Sequence, residues 1–478
     1  MIDPSTPGDS AQLARFGYTQ QLKRQLSLGD LLIYGMVFMV PLAPFSIFGG
    51  VFDASHGMVP LTYLIGFVAM LFTAISYQQM SHAFPVAGSV YAYVGRGLNS
   101  QLGFLAGWAI LLDYLLVPTL LYVIGANAMA NVIPAVPQPL WIVFFVVLNT
   151  LVNLRGIQTT ARANRLFLYG QLVVLGVFVV LASVAISNGV NGASWTLKPM
   201  YNPAEFSLPL IFSALSVAVL SFLGFDAIST LSEETRGGSR AVGRATLWSL
   251  ALVAALFMLQ TWLAALLQPN LVQYPDAEAS NNAFYEIGRL VAGPWLQVVI
   301  ALAVAIGAAI ANSLVAQAAT SRLLFAMARD RQLPQFLSQV HAVTGVPQRA
   351  TFLVAGLSLV LGLFFVGQIN LLASMCNFGA LTAFLLLHVA VAWHYRSAGR
   401  RLVHGLVPLI GFVIISYVLV NSDIYAKVGG TCWIVLGIGV LMFFKATGRS
   451  TELKVDASQG SASETVNGSP SRTWQART

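Results

Sequence analysis

Long apolar runs recur along the whole chain, punctuated by short polar, glycine- and proline-marked segments. Twelve runs stand out, at about 28–51, 60–82, 101–132, 139–155, 164–187, 208–232, 244–268, 294–326, 351–367, 371–394, 405–421 and 427–445. Each is long enough, as a helix, to cross a hydrocarbon core of ~30 Å. The short alternating segments that mark an outer-membrane barrel are not visible. The pattern predicts an all-α integral membrane protein with twelve transmembrane helices. Residues 1–27 read as a polar cytoplasmic segment, 28–446 as the membrane domain, and 447–478, rich in Ser, Thr and Gly, as a disordered cytoplasmic tail. The polar opening lacks the short apolar core of a cleaved signal peptide.

Composition agrees with this class. Of 478 residues, 57% are apolar and 9% charged, where a soluble protein carries about 25% charged residues. The net charge of +8 invites a nucleic-acid reading, but its distribution excludes one. With the N-terminus inside and twelve spans, only Lys198, Arg289 and Lys427 among the 25 Lys and Arg residues fall in outside loops. That asymmetry is a topology signal, with attraction to anionic membrane lipid as a by-product. It places both termini in the cytoplasm. Cys376 and Cys432 lie in apolar runs and predict neither a disulfide framework nor a metal site.

Two spans are interrupted. The first carries "VPLAPF" (Val40–Phe45), where the prolines remove backbone donors. The sixth carries "SFLGF" (Ser221–Phe225), with Gly224 near its middle. A kink at Pro or Gly is ordinary, so the position of the pair carries the weight. The breaks lie five spans apart, where two repeats would match, and irregular backbone at membrane depth lines a cavity or is buried in protein. Such a pair predicts a transporter site at Val40, Pro41 and Leu42 and at Ser221, Phe222 and Gly224.

Charge inside the spans supplies the candidate chemistry, because an intramembrane carboxylate is costly and functional by default. Asp113 and Tyr114 adjoin in the third span and could offer an ionic contact and a π-face to an ammonium group. A packing hydrogen bond is the plainer role for Asp113. Asp226 lies just after the sixth-span break, where it could meet substrate, carry a proton for coupling, or cap the restarting helix. Glu233 and Glu234 close that span beside Arg236, Arg240 and Arg244, and suit a salt-bridged inner gate or a solvated cluster. The six histidines show no metal-type grouping, and His388, nominally in the tenth span, reads as a packed residue. There is no P-loop and no HExxH, and no GxSxG stands in a strand–turn–helix context, so neither an enzyme nor a cofactor is expected.

Several longer stretches resemble one family. "FPVAGSVYAYV" (Phe84–Val94), "GFLAGWAILLDYLLVP" (Gly103–Pro118), "SFLGFDAISTLSEET" (Ser221–Thr235) and "SRLLFAMARDRQLP" (Ser321–Pro334) are similar to segments of the amino acid–polyamine–organocation permease superfamily, nearest its bacterial putrescine-importer branch. The resemblance implies two inverted five-helix repeats with broken helices 1 and 6, plus two peripheral helices, in the bacterial inner membrane. It implies a substrate at the midplane between those breaks and alternating access driven by proton or substrate gradients. It also implies an aromatic gate at Tyr114, an acidic coupling or gating residue at Asp226, and Phe222 as the nearest counterpart of a gating aromatic in helix 6. Ser46 stands where that branch has an aspartate in helix 1, and Gln171 where several amino-acid members have a lysine in helix 5. The first break differs from the glycine-rich one of many amino-acid members, since prolines cannot hold a substrate carboxylate. The expected function is import of a small cationic amine, putrescine- or polyamine-like, with proton symport. An amino acid or other small-amine permease or exchanger is the alternative. A channel or sensor on the same fold, or a membrane enzyme, is less well supported by these residues.

Overall fold

The computed structural model describes residues 22, 24–84, 86, 89–133, 135–366, 369–396, 402–422 and 424–447. Most of the expected N-terminal segment and the tail from residue 448 lie outside the described residues. In chain order the helices are α1 (Leu28–Met39), α2 (Ala43–Ser55), α3 (Val59–Ala83), α4 (Ser89–Gly97), α5 (Ser100–Val132), α6 (Gln138–Leu154), α7 (Ile157–Ser187) and α8 (Leu208–Ala218). Then come α9 (Gly238–Leu266), α10 (Ala277–Ala292), α11 (Pro294–Ile306), α12 (Ser313–Arg329), α13 (Gln348–Phe364), α14 (Ile369–His394), α15 (Val407–Val420) and α16 (Ile424–Ala446). Among the described residues there is no strand, only an isolated bridge between Leu26 and Thr235.

Every expected apolar run coincides with helix. Nine stretches of described helix are long and apolar enough to cross a membrane, and α1 with α2, bent by 44° across their break, make a tenth if they count as one span. The remaining two runs are α6 and α13, shorter apolar helices of 17 residues each. Helix starts follow their local chemistry. Ser27 and Asp30 form a reciprocal capping box on α1, and Asn99, Ser207 and Asp276 cap α5, α8 and α10. Only 22% and 17% of the apolar windows in 402–420 and 427–446 are buried, so α15 and α16 stand at the periphery.

Three features depart from the expected pattern. The eighth span is one run, but Gly307–Asn312 within it forms a π-helical turn between α11 and α12. Its freed Ala309 carbonyl accepts from Asn149 Nδ2 at 2.9 Å. Two helices, α4 and α10, occupy stretches expected as loops. α10 is amphipathic and lays Phe284 on Phe45 of α2, ring centroids 3.9 Å apart and 21° from parallel. Its approach is so close that a Cβ on Gly49 would lie 1.9 Å from the Ser280 carbonyl oxygen. His388 is packed, as expected, and both ring nitrogens meet hydroxyls of α3, Thr73 at 3.2 Å and Ser76 at 3.1 Å.

Candidate functional site

The two interrupted spans meet. α1 ends at Val40, whose φ of 51° is foreign to a β-branched residue. Pro41 and Leu42 turn the chain into α2, where Pro44 sits in the first turn. The Pro41 carbonyl, freed from helix, accepts from Gln260 Nε2 at 2.9 Å. α8 runs into a short 3-10 stretch, Val219–Phe222, and the chain restarts at Phe225 as a 3-10 helix to Glu234. Gly224 is required twice over. Its φ is 116°, and a Cβ would come within 2.8 Å of the Phe38 ring of α1. A Cβ on Gly35 would likewise strike Ile228 at 2.4 Å. α1 and the 3-10 half-helix therefore pack backbone to side chain, each break beside the other. Ten residues is long for a 3-10 helix. Ser229, Thr230 and Ser232 support it by donating to the carbonyls three residues back, each at 2.6 Å.

Asp226 lies in the first turn of this half-helix and is 1% exposed. Gly224 holds the cap position with no side-chain cap bond, and the Asp226 carboxyl lies against the backbone amides of Gly224, Asp226 and Ala227 at the start of the half-helix. Asp226 Oδ2 also accepts from the Tyr114 hydroxyl at 2.7 Å. Tyr114 is fixed from behind, since its carbonyl accepts from Thr320 Oγ1 of α12 at 2.6 Å. Ser221 and Tyr63 share a hydrogen bond of 3.0 Å, and Phe222 packs on Tyr63 and Phe257. Asp113 is 3% exposed, and among the described residues its Oδ1 has no hydrogen-bond partner. Among the described residues neither Asp113 nor Asp226 forms an ion pair. Aromatic faces close the space around them, with Tyr77 edge-on to Phe225, Phe384 and Tyr93.

Glu233 and Glu234, at the other end of the half-helix, are 0% and 1% exposed. Their partners correct the sequence reading. Arg236, Arg240 and Arg244 are exposed, and the ion pairs run instead to α12. Arg329 grips Glu233 through two bonds of 2.8 and 2.9 Å. Arg322 binds Glu234 through Nε and Nη2, and its Nη1 donates to the Ala318 carbonyl at 2.9 Å. The Glu234 carbonyl also accepts from the Gln25 and Leu26 amides at 2.9 and 3.0 Å. The segment entering α1 is thus tied to the same point.

The structure brings Val40–Leu42, Gly224, Asp226, Tyr114 and Asp113 into one region, with Ser221 and Phe222 on the wall formed with α3 and α9. It sets Glu233 and Glu234 apart from them. Sequence reasoning missed the aromatic walls Tyr77, Phe225 and Phe384, which look like any core residue in an apolar run. It also missed Arg322 and Arg329, although "SRLLFAMAR" places two arginines seven apart on one helix face. The site as a whole offers two buried acids, a phenol hydroxyl, aromatic faces and helix-end backbone. Such a set suits an organic cation. Among the described residues no three His, Cys, Asp or Glu side chains gather as a metal set.

Comparison with known proteins agrees with a carrier. A family profile described as amino acid permease matches residues 31–452. The low-affinity putrescine importer PlaP of Escherichia coli (strain K12) is 29% identical over 427 residues, 87% of this chain and 93% of the relative. The branched-chain amino acid permease BcaP of Bacillus subtilis (strain 168) is 25% identical over 393 residues, 78% of this chain and 81% of the relative. The methylthioribose transporter of the same organism is 25% identical over 464 residues, covering 89% and 94%. These relatives are permeases and transporters, not enzymes. With that profile spanning most of its length and its apolar helices, the chain is a multi-pass membrane protein that belongs to the amino acid permease family.

Proposed function

We propose that the protein is a secondary active transporter that imports a small cationic amine, putrescine- or polyamine-like, with protons, by alternating access. The observation that carries this reading is Asp226: buried, without a cationic partner among the described residues, hydrogen-bonded by Tyr114, and set at the meeting point of two helix breaks. A buried carboxylate left unpaired is costly unless a ligand or proton completes it. The proline-bearing first break supports a substrate without a carboxylate, since its freed carbonyls accept and do not donate. The name of one relative, a putrescine importer, points the same way.

The architecture that goes with this function has twelve spans in two inverted five-helix repeats, with α1/α2 and α8 to Glu234 as the broken helices 1 and 6. α15 and α16 are the two peripheral helices. The termini lie in the cytoplasm of a bacterium and the bundle in its inner membrane. Glu233 and Glu234 with Arg329 and Arg322 then stand at the cytoplasmic end as a gate, separate from the substrate.

A second reading, an amino acid or other small-amine permease or exchanger, is favoured by the amino-acid relatives. Uptake of labelled putrescine into vesicles carrying a pH gradient tests the first. Uptake that unlabelled putrescine competes away, and that collapses with the gradient, is expected. Absence of any putrescine-sensitive uptake, with branched-chain amino acids competing instead, would establish the second.

A further inference from the structure

Asp113 is adjacent to Tyr114, and neighbours on a helix point about 100° apart. Tyr114 faces the 3-10 half-helix through Asp226. Asp113 faces a different wall. On α14, a Cβ at Gly379 would lie 3.0 Å from the Asp113 amide nitrogen and 2.7 Å from the Ala109 carbonyl, so the α14 backbone presses on α5 here. One turn earlier on α14, Cys376 is wholly buried and within electrostatic reach of Asp113. Asp226 is within such reach as well.

Among the described residues Asp113 Oδ1 has no donor. An orphaned buried acceptor is uncommon and asks for an explanation. An acceptor without a donor suits a group that is all donor, and an ammonium supplies three N–H bonds and accepts none. No lysine or arginine of the described chain fills that role here.

We propose that Asp113, on α5 where α14 packs against it, forms a second ammonium subsite, so that the transporter reads both ends of a diamine. One ammonium meets Asp226 and Tyr114 on the half-helix side, and the other meets Asp113 on the α5–α14 side. This rests on the amine reading above and deepens it: the substrate class is a linear dication, and monoamines of equal length are poor substrates.

The test compares putrescine with n-butylamine, which has the same four-carbon chain and one ammonium, as substrates of the purified protein in proteoliposomes. The native protein is expected to favour putrescine by about ten-fold or more in apparent KM, as suits a hydrogen bond to a charged group. Asp113→Asn is expected to collapse that ratio towards one, mainly by raising the KM for putrescine. Asp113→Glu, which keeps the charge, is expected to keep the preference for putrescine, and Asp113→Ser decides the matter if Asp113→Asn does not reach the membrane. Asp226→Asn is expected to impair both amines. A putrescine-to-butylamine ratio that stays native in Asp113→Asn, or in Asp113→Ser where that variant must serve, overturns the second subsite and leaves the amine reading standing. Failure of the native protein to carry either amine overturns both.

Discussion

Asp113, Asp226, Glu233 and Glu234 are all buried, and they fall into two pairs with opposite surroundings. Glu233 and Glu234 each hold an arginine of α12, and the Glu234 carbonyl is also tied to the segment entering α1. Asp226, eight residues before Glu234, has a phenol and backbone amides for partners, and among the described residues Asp113 Oδ1 has none. Burial alone therefore does not separate a structural acid from one that awaits a ligand. What separates them is whether the chain supplies the counter-charge. A paired buried ion fixes geometry at a desolvation cost that the partner offsets, whereas an unpaired one is stable only when neutral or liganded. The paired end reads as a clamp, and the unpaired end as a place for cargo.

Breaking the clamp from one side tests this hardest. Arg322→Ala leaves Glu234 buried and uncompensated, and about 3–5 kcal/mol of stability should go with it. Thermal melting in detergent will show it, and the double variant Arg322→Met, Glu234→Leu should recover most of the loss, because apolar replacement of both ions is near neutral. At the unpaired end the effect should fall on transport. Tyr114→Phe removes the 2.7 Å bond to Asp226 and is expected to weaken substrate affinity by about 1.5–3 kcal/mol, ten-fold or more, with little change in melting. Gly224→Ala links the two ends. Its φ of 116° and the approach of Phe38 should cost about 1–3 kcal/mol, and transport should fall because the half-helix that carries Asp226 shifts. Gln260→Leu frees the Pro41 carbonyl and should cost about 1 kcal/mol of stability, the least of the four.

The bundle was legible because a bilayer selects for long apolar runs, and each run became helix. The breaks were legible as well, since Pro41, Pro44 and Gly224 are residues that a continuous helix avoids. What escaped was amphipathic or distant. α10 carries Asn281, Asn282 and Glu286 among its apolar residues, so hydropathy averages it away, although Asp276 before it and Gly293 after it are ordinary helix boundaries. The π turn at Gly307–Asn312 has no composition signal and depends on Asn149 from another helix. The partners of Glu233 and Glu234 were sought among arginines nearby in sequence, but the pairs form across 96 and 88 residues. Of the site, the acids and Tyr114 were readable as polar exceptions in apolar spans. Its aromatic walls were not, because Phe225 and Phe384 are apolar residues among apolar residues.

The most direct measurement sets one acid of each kind side by side. Asp226→Asn and Glu234→Gln are purified, melted in detergent and reconstituted for putrescine counterflow. Asp226→Asn is expected to melt close to the native protein and to lose counterflow, and Glu234→Gln to melt well below it. An Asp226→Asn protein that retains counterflow, or that melts as low as Glu234→Gln, would contradict the account.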